Sequence, residues 1–347
     1  MVRLGAMGDI LHALPAIAAL RRAHPAWEIG WVVEPRWRAL LAAPTSAAVE
    51  GELAFDPAMP LVDRLHFAPA KQWGRSPFSP KTIREIQSLR RDLRSSAYNA
   101  VLDLQGAVRS AAIARMAHAQ RVIGESKPRE WAARWLFTER IETRGAHVIE
   151  QDLEVASALA GDRLQPVPPP LPVDPEAERW CDALLAPGDP PVALINPGAG
   201  WGAKRWPPER YAAVAQGLVA RGMRVLVNAG PGEEPLAETI AAGGAATVVC
   251  ASLDQLIALT RRIALCVAGD TGPLHLACAL GRPVVGVYGP TDPSRNGPFA
   301  TRAAVLRSPL SQRDHSRRHA PEAGMLTIAP EDVLRAADAL LAPEAAS

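Results

Sequence analysis

The chain runs to 347 residues with a formal net charge of +2, 48% hydrophobic and 21% charged side chains, a balance that fits two globular domains and excludes disordered and fibrous classes. No uninterrupted apolar run reaches the roughly 18–20 residues of a membrane-spanning helix. Arg3 and Asp9 break up the apolar start, so no signal peptide is read and a cytoplasmic protein is expected.

In chain order, the first half alternates strand and helix patterns: strand Met1–Leu4, a Gly-containing turn, helix Ile10–Ala23, strand Glu28–Val33 and helix Arg36–Ala42. A Pro- and Gly-rich stretch, Phe67–Pro80, leads into the charged amphipathic helix Thr82–Ser95, then strand Ala100–Leu104 and helix Arg109–Ala117. Between Lys71 and Arg140 stand 14 Lys and Arg against 6 Asp and Glu, a local +8. Such a stretch is either the solvated face of helices or an attractor for an anionic partner, such as a phosphorylated glycolipid or an anionic membrane surface. Nucleic acid fits poorly, because aromatics are only 5% and no stacking motif is present.

The proline-rich QPVPPPLPVDP at 165–175 continues neither a helix nor a central strand. It marks a linker at 166–175 between domains 1–165 and 176–329. The second half restarts the alternation: strand Val192–Ile195, helix Pro208–Ala220, strand Arg224–Asn228, helix Pro235–Ala242, strand Ala246–Cys250 and helix Leu253–Arg261. Strands Ala264–Ala268 and Val284–Tyr288 then bracket a further helix, and residues 330–347 carry a last one. Alternation of this kind builds parallel sheets covered on both faces, with ligands beyond the carboxyl ends of the strands.

Three strand-to-helix junctions carry chemistry. In GDTGPLHL (Gly269–Leu276), a tight polar turn opens a helix whose first N–H groups and dipole favour an anion. Thr271 and Gly272 would supply backbone donors and His275 lies one turn on, while Asp270 either caps the turn or contacts a ligand. In NPGAGWGAKRW (Asn196–Trp206), glycines allow close backbone approach and Lys204 offers a cation to a phosphate, with Arg205 as its partner or a surface residue. The spacing is neither that of a GxxxxGK[ST] loop nor of a GxGxxG fingerprint. In GAMGDILH (Gly5–His12), Asp9 either caps its helix or serves as a base, with His12 one turn further on. Glu233, after Gly230-Pro231-Gly232, is either a ribose ligand or a solvated acid at a helix start. Cys181, Cys250, Cys266 and Cys278 stand singly and no paired metal-ligand spacing is visible, so neither disulfide nor metal nor cofactor is expected.

LGAMGDILHALPAI, WVVEPRW, VLDLQGAVRSA, NPGAGWGAKRWPPERY and GDTGPLHLACALGRPVVGVYGPTDP together resemble glycosyltransferase family 9, the lipopolysaccharide heptosyltransferases, and most of all its type I members. The chain departs in its first strand, where only Met1 and Val2 precede Arg3 and the family has a few more apolar residues. The resemblance implies a GT-B-like α/β fold of two Rossmann-like domains facing across a cleft, the first for the acceptor and the second for the nucleotide sugar. It implies helix 330–341 as a candidate to pack back on the first domain. It also implies an inverting, metal-independent transfer of heptose from ADP-heptose to the Kdo of a lipid A-type acceptor, at the cytosolic face of the inner membrane. Asp9 then matches the catalytic base. Lys204, Glu233, Asp270, Thr271, Gly272 and His275 fall on the donor side, and His12 and Arg109 on the acceptor side. Alternatives are a type II enzyme or a relative with another acceptor, a sugar-nucleotide epimerase of the same architecture, and a nucleotide-sugar sensor, which Asp9 argues against.

Overall fold

The computed structural model describes residues 1–44, 58–314 and 320–342, and divides the chain into two units, Met1–Pro172 and Val173–Ser347. The division falls within the proline-rich segment. In the first unit the strands are β1 (Gly30–Val33), β2 (Arg64–Phe67), β3 (Ala100–Asp103), β4 (Arg121–Glu125) and β5 (Glu139–Ile141), all paired in parallel. Its helices are α1 (Met7–Ala23), α2 (Ala70–Arg75), α3 (Pro80–Ser95), α4 (Val108–Met116) and α5 (Val148–Ala160).

β1 pairs with β2, and β3, β4 and β5 form a second ladder. Val2 joins the two ladders, bridging Val32 on one side and Asp103 on the other. Its N–H donates to the Leu102 carbonyl at 2.8 Å, and the Met1 carbonyl accepts from Val32 at 2.9 Å. The short amino-terminal segment is therefore the central strand, giving the order β2-β1-(1–4)-β3-β4-β5. Burial explains its composition: Val2 and Leu4 are almost fully enclosed, as a strand with neighbours on both sides requires. α1 follows at once and is buried from Ile10 to Leu20, packing on α5.

In the second unit follow α6 (Pro175–Leu184), β6 (Val192–Asn196), α7 (Pro208–Val219), β7 (Arg224–Asn228), α8 (Glu234–Ala241), β8 (Thr247–Val249), α9 (Leu253–Thr260), β9 (Leu265–Gly269), α10 (Gly272–Ala279), β10 (Val284–Tyr288), α11 (Pro293–Asn296), β11 (Ala303–Arg307) and α12 (Pro330–Leu341). Six parallel strands lie in the order β11-β10-β9-β6-β7-β8. Counted within each unit, both sheets place the first strand beside the fourth, which is the doubly wound order with its switch point between them. β6, β9 and β10 are buried at every residue, as expected of strands covered on both faces.

Some expectations shift. The helix expected over Arg36–Ala42 is a 3-10 helix, Pro35–Leu40, closed by an i to i+3 bond from the Leu41 N–H to the Arg38 carbonyl. α12 lays its apolar face on α7, β10 and β11 of the second unit. Val333 and Ala337 are fully buried, Leu334 fills the space left by the missing side chain of Gly217 on α7, and Arg221 pairs with Asp338 at 2.6 Å. Gly217 makes room for that side chain, which an alanine would force to shift. Among the described residues no helix is long and apolar enough to cross a membrane.

Candidate functional site

The switch point of the second unit lies between β6 and β9, and the two loops that leave these strands carry the residues singled out at Asn196–Trp206 and Gly269–Leu276. They meet as a cluster. Lys204, on a short 3-10 turn Gly202–Lys204, pairs its Nζ with a carboxylate oxygen of Asp270, and reaches the Asp270 carbonyl at 3.4 Å. The other carboxylate oxygen of Asp270 lies 3.1 Å from His275 Nε2, which is reached one turn into α10. The Lys204 and Asp270 side chains are 12% and 7% exposed, so the pair is held largely out of water. Burial pushes the Asp270 carboxyl up, but His275 and Lys204 outweigh it and hold the group well below the usual carboxylate range. Beneath the ammonium lies Trp201, its ring centroid 4.3 Å from Nζ.

α10 begins beside this cluster without a side-chain cap. The Thr271 hydroxyl turns back to the Gly269 carbonyl at 3.3 Å, and Gly272 and Pro273 open the helix. By contrast, Ser252 caps α9 and Asp292 caps α11. An uncapped start leaves backbone donors and the positive helix end facing the loop, next to a cation. Both Thr271 and Gly272 are half-buried.

Glu233 belongs to the same end of the sheet. One carboxylate oxygen accepts from the Gly230 N–H at 3.1 Å, and the group lies against Gly198, where an added Cβ would come within 2.0 Å of it. Gly198 is therefore the reason the loop after β6 and the loop after β7 approach so closely. Arg205 is exposed and belongs to the surface.

Three side chains at this end escaped the reading of motifs. Among the described residues, Tyr288 OH, Thr291 Oγ1 and Trp201 Nε1 are buried with no hydrogen-bond partner. Burial and the charge of Asp270 raise the Tyr288 hydroxyl well above its ordinary value, which puts its ring within the field of that carboxylate. Tyr288 ends an apolar strand, so periodicity assigns it to the core, where its ring does sit. The orphaned hydroxyl has no sequence signal. Orphaned buried donors of this kind fit a polar ligand. Among the described residues no three His, Cys, Asp or Glu side chains are grouped to hold a metal ion.

In the first unit the turn after the central strand holds Asp9. Its Oδ2 accepts from the Ala6 N–H at 2.9 Å, its Oδ1 lies 3.7 Å from the Arg3 guanidinium, and 41% of the side chain stays open to solvent. Arg3 itself is buried and donates through Nε to the Asp9 carbonyl at 3.1 Å. Asp9 thus does cap its helix start and still presents a free edge. His12 is buried, edge-on to His147 with ring centroids 5.6 Å apart, in the layer between α1 and the amino-terminal end of α5. Arg109, in the first turn of α4, is exposed.

The DLQG stretch has a structural part in this turn. Asp103 accepts from the N–H groups of Gln105 and Gly106 and from Ser110 Oγ, and burial raises its carboxyl in spite of them. The Gln105 side chain accepts from the Leu4 N–H at 2.7 Å, tying the loop after β3 to the end of the central strand.

Residues 86–325 match glycosyltransferase family 9 (heptosyltransferase). Lipopolysaccharide heptosyltransferase 1 of Escherichia coli (strain K12) is 29% identical over 322 residues, spanning 89% of this chain and 93% of that protein. The solved structure of E. coli heptosyltransferase WaaC with ADP is similar with a TM-score of 0.77 and 26% identity, covering 98% of both chains. The same enzyme with ADP-2-deoxy-2-fluoro heptose gives a TM-score of 0.75 at 25% identity, over 97% of this chain and 98% of that one.

Proposed function

The chain belongs to glycosyltransferase family 9, and on that premise we propose that it transfers L-glycero-D-manno-heptose from ADP-heptose to the Kdo of a lipid A-type acceptor, in building the lipopolysaccharide core. The observation that carries this reading is the buried Lys204–Asp270–His275 cluster beside the uncapped start of α10. It combines a cation, fixed in place by its carboxylate, with free helix-start donors, as a nucleoside diphosphate leaving group requires. The likeness to the E. coli enzyme solved with ADP and with a fluorinated ADP-heptose supports the choice of donor.

In this mechanism Asp9 takes the proton of the acceptor hydroxyl through its open edge. The acceptor oxygen attacks the anomeric carbon from the face opposite the diphosphate. The bond from that carbon to the β-phosphate oxygen breaks, ADP leaves with the electron pair, and the anomeric configuration inverts. Two of the Lys204 N–H groups point to Asp270, which leaves the third for a phosphate oxygen. Asp270 orients Lys204 and His275, Thr271 and Gly272 contribute backbone N–H groups, and Glu233 receives the ribose hydroxyls. Arg109 and His12 serve the acceptor, Arg109 through its guanidinium toward carboxylate or phosphate. No metal ion takes part in this scheme, and the enzyme works at the cytosolic face of the inner membrane.

The test is incubation of the purified protein with ADP-heptose and Kdo-lipid A, with and without EDTA. Release of ADP together with a heptosylated product of inverted anomeric configuration, unaffected by EDTA, is the expected result. Transfer only to an already heptosylated acceptor would favour a type II assignment, and sugar conversion without an acceptor would favour an epimerase. Loss of activity with EDTA, restored by Mg²⁺ or Mn²⁺, would overturn the metal-free scheme.

A further inference from the structure

We propose that the first unit carries a docking surface for an anionic lipid bilayer, built from Trp131, Arg134 and Trp135 on the 3-10 helix Trp131–Leu136 that follows β4, together with Arg140 on β5. Both tryptophans are 62% exposed, an unusual cost for the largest apolar side chain on a surface. Their rings meet edge to face with centroids 5.5 Å apart. The Arg134 guanidinium lies 5.5 Å from one ring centroid and 5.7 Å from the other, and Arg140 lies 5.5 Å from that of Trp135. Arg140 also donates to the Arg134 carbonyl at 2.9 Å, so the two cations and two indoles form one fixed patch.

The charges favour lipid over a neutral apolar partner. Two of the nearby acids are already engaged: Glu139 pairs with Arg121 at 2.7 Å, and Glu130 accepts from the Val108 N–H at 2.8 Å. Among the described residues, Lys127, Arg129, Arg134 and Arg140 have no carboxylate in salt-bridge range. Indoles interleaved with unneutralised cations match the headgroup layer, where the ring enters the interface and the cation stays with phosphate. The neighbouring elements extend the pattern. The 3-10 helix packs on α4, which packs on α3, and α3 is preceded by Phe78, 89% exposed, with Lys81 and Arg84 in its first turns. The first turn of α4 and the start of the 3-10 helix follow β3 and β4, so both open at the carboxyl end of one parallel sheet.

Vesicle binding needs neither substrate, so this inference stands or falls separately from the transfer reaction. Binding is read by co-sedimentation with vesicles of phosphatidylcholine and of equimolar phosphatidylcholine and phosphatidylglycerol, at low and physiological salt. Quenching of tryptophan fluorescence by brominated lipid serves as the second readout. The wild type is expected to prefer the anionic vesicles, to weaken with salt and to be quenched. Replacing both tryptophans by alanine should lower binding about tenfold, and Arg140→Glu about fivefold or more. Trp131→Phe with Trp135→Phe should bind nearly as well as wild type and lose the quenching. A double reversal, Arg91→Glu with Arg94→Glu near the far end of α3, should cost under about threefold. The same melting temperature across variants checks folding. Equal binding of wild type and the tryptophan-to-alanine variant, equal losses for the α3 reversal and the rim variants, or no preference for anionic vesicles would each overturn the proposal.

Discussion

The two units share one strand order and use its switch point in opposite ways. In the second, the polar groups are buried and paired with one another: Lys204 with Asp270, and Asp270 with His275. In the first, Asp9 keeps 41% of its side chain open, holds one backbone N–H, and has Arg3 at a loose 3.7 Å. Stabilising a leaving group rewards fixed dipoles and charges that need no rearrangement during the reaction. A base must instead reach a hydroxyl that arrives with the substrate, and an exposed edge serves that better. The same topology thus supports a preorganised site and an open one, depending on what the first loop buries.

The comparison breaks most sharply at Asp9. Asp9→Ala should lower turnover by about 10²–10⁴-fold while ADP binding, measured by calorimetry, stays at the wild-type value. A threefold loss or less would leave Asp9 as a helix cap alone. Removing one partner of the buried pair tests the other half. Asp270→Ala should destabilise the protein by about 3–5 kcal/mol in urea melts at neutral pH, because the Lys204 ammonium is left buried without its counter-charge.

The pH dependence follows from the same carboxylate. Its folded value lies below the ordinary one, so its contribution is complete above the usual carboxylate range and is lost as pH falls through that range toward the folded value. The gap between wild type and Asp270→Asn should therefore be widest at neutral pH and shrink below about pH 4. A gap constant with pH would show that the carboxylate is not charged in the fold.

Smaller effects sharpen the contrast within the second unit. Lys204→Ala should weaken ADP-heptose binding and slow transfer, together about 10²-fold in kcat/KM, and a change confined to the acceptor KM would assign the lysine elsewhere. Gly198→Ala should displace Glu233, whose carboxylate end is mobile enough to yield, and cost about tenfold in donor affinity with an unchanged melting temperature. Arg205→Ala, at an exposed position, should change donor affinity by less than about twofold.

The candidate site was readable where side-chain chemistry and local structure coincide. The glycines and Pro273 at a strand end announce a helix start suited to an anion, and that start is uncapped in the fold. Asp9 was legible as either cap or base, and its geometry accommodates both. Asp103 and Gln105 lie in VLDLQGAVRSA, a segment that carries the family resemblance, and their hydrogen bonds go to the backbone of the turn and to Leu4. Tyr288 was missed because an aromatic residue at the end of an apolar strand has the same pattern whether or not its polar atom finds a partner.

The sequence by itself determined the alternation of strands and helices, the break in the proline-rich segment and the candidate residues, since these depend on periodicity, turn chemistry and side chains a few positions apart. Only the tertiary structure decided that Lys204 and Asp270, 66 residues apart, form a buried pair. It alone made four amino-terminal residues the central strand, and it laid α12 on α7. Strand order and helix docking are set by long-range pairing and by burial summed over many contacts. Local pattern says that a strand exists, and its neighbours decide where its end points.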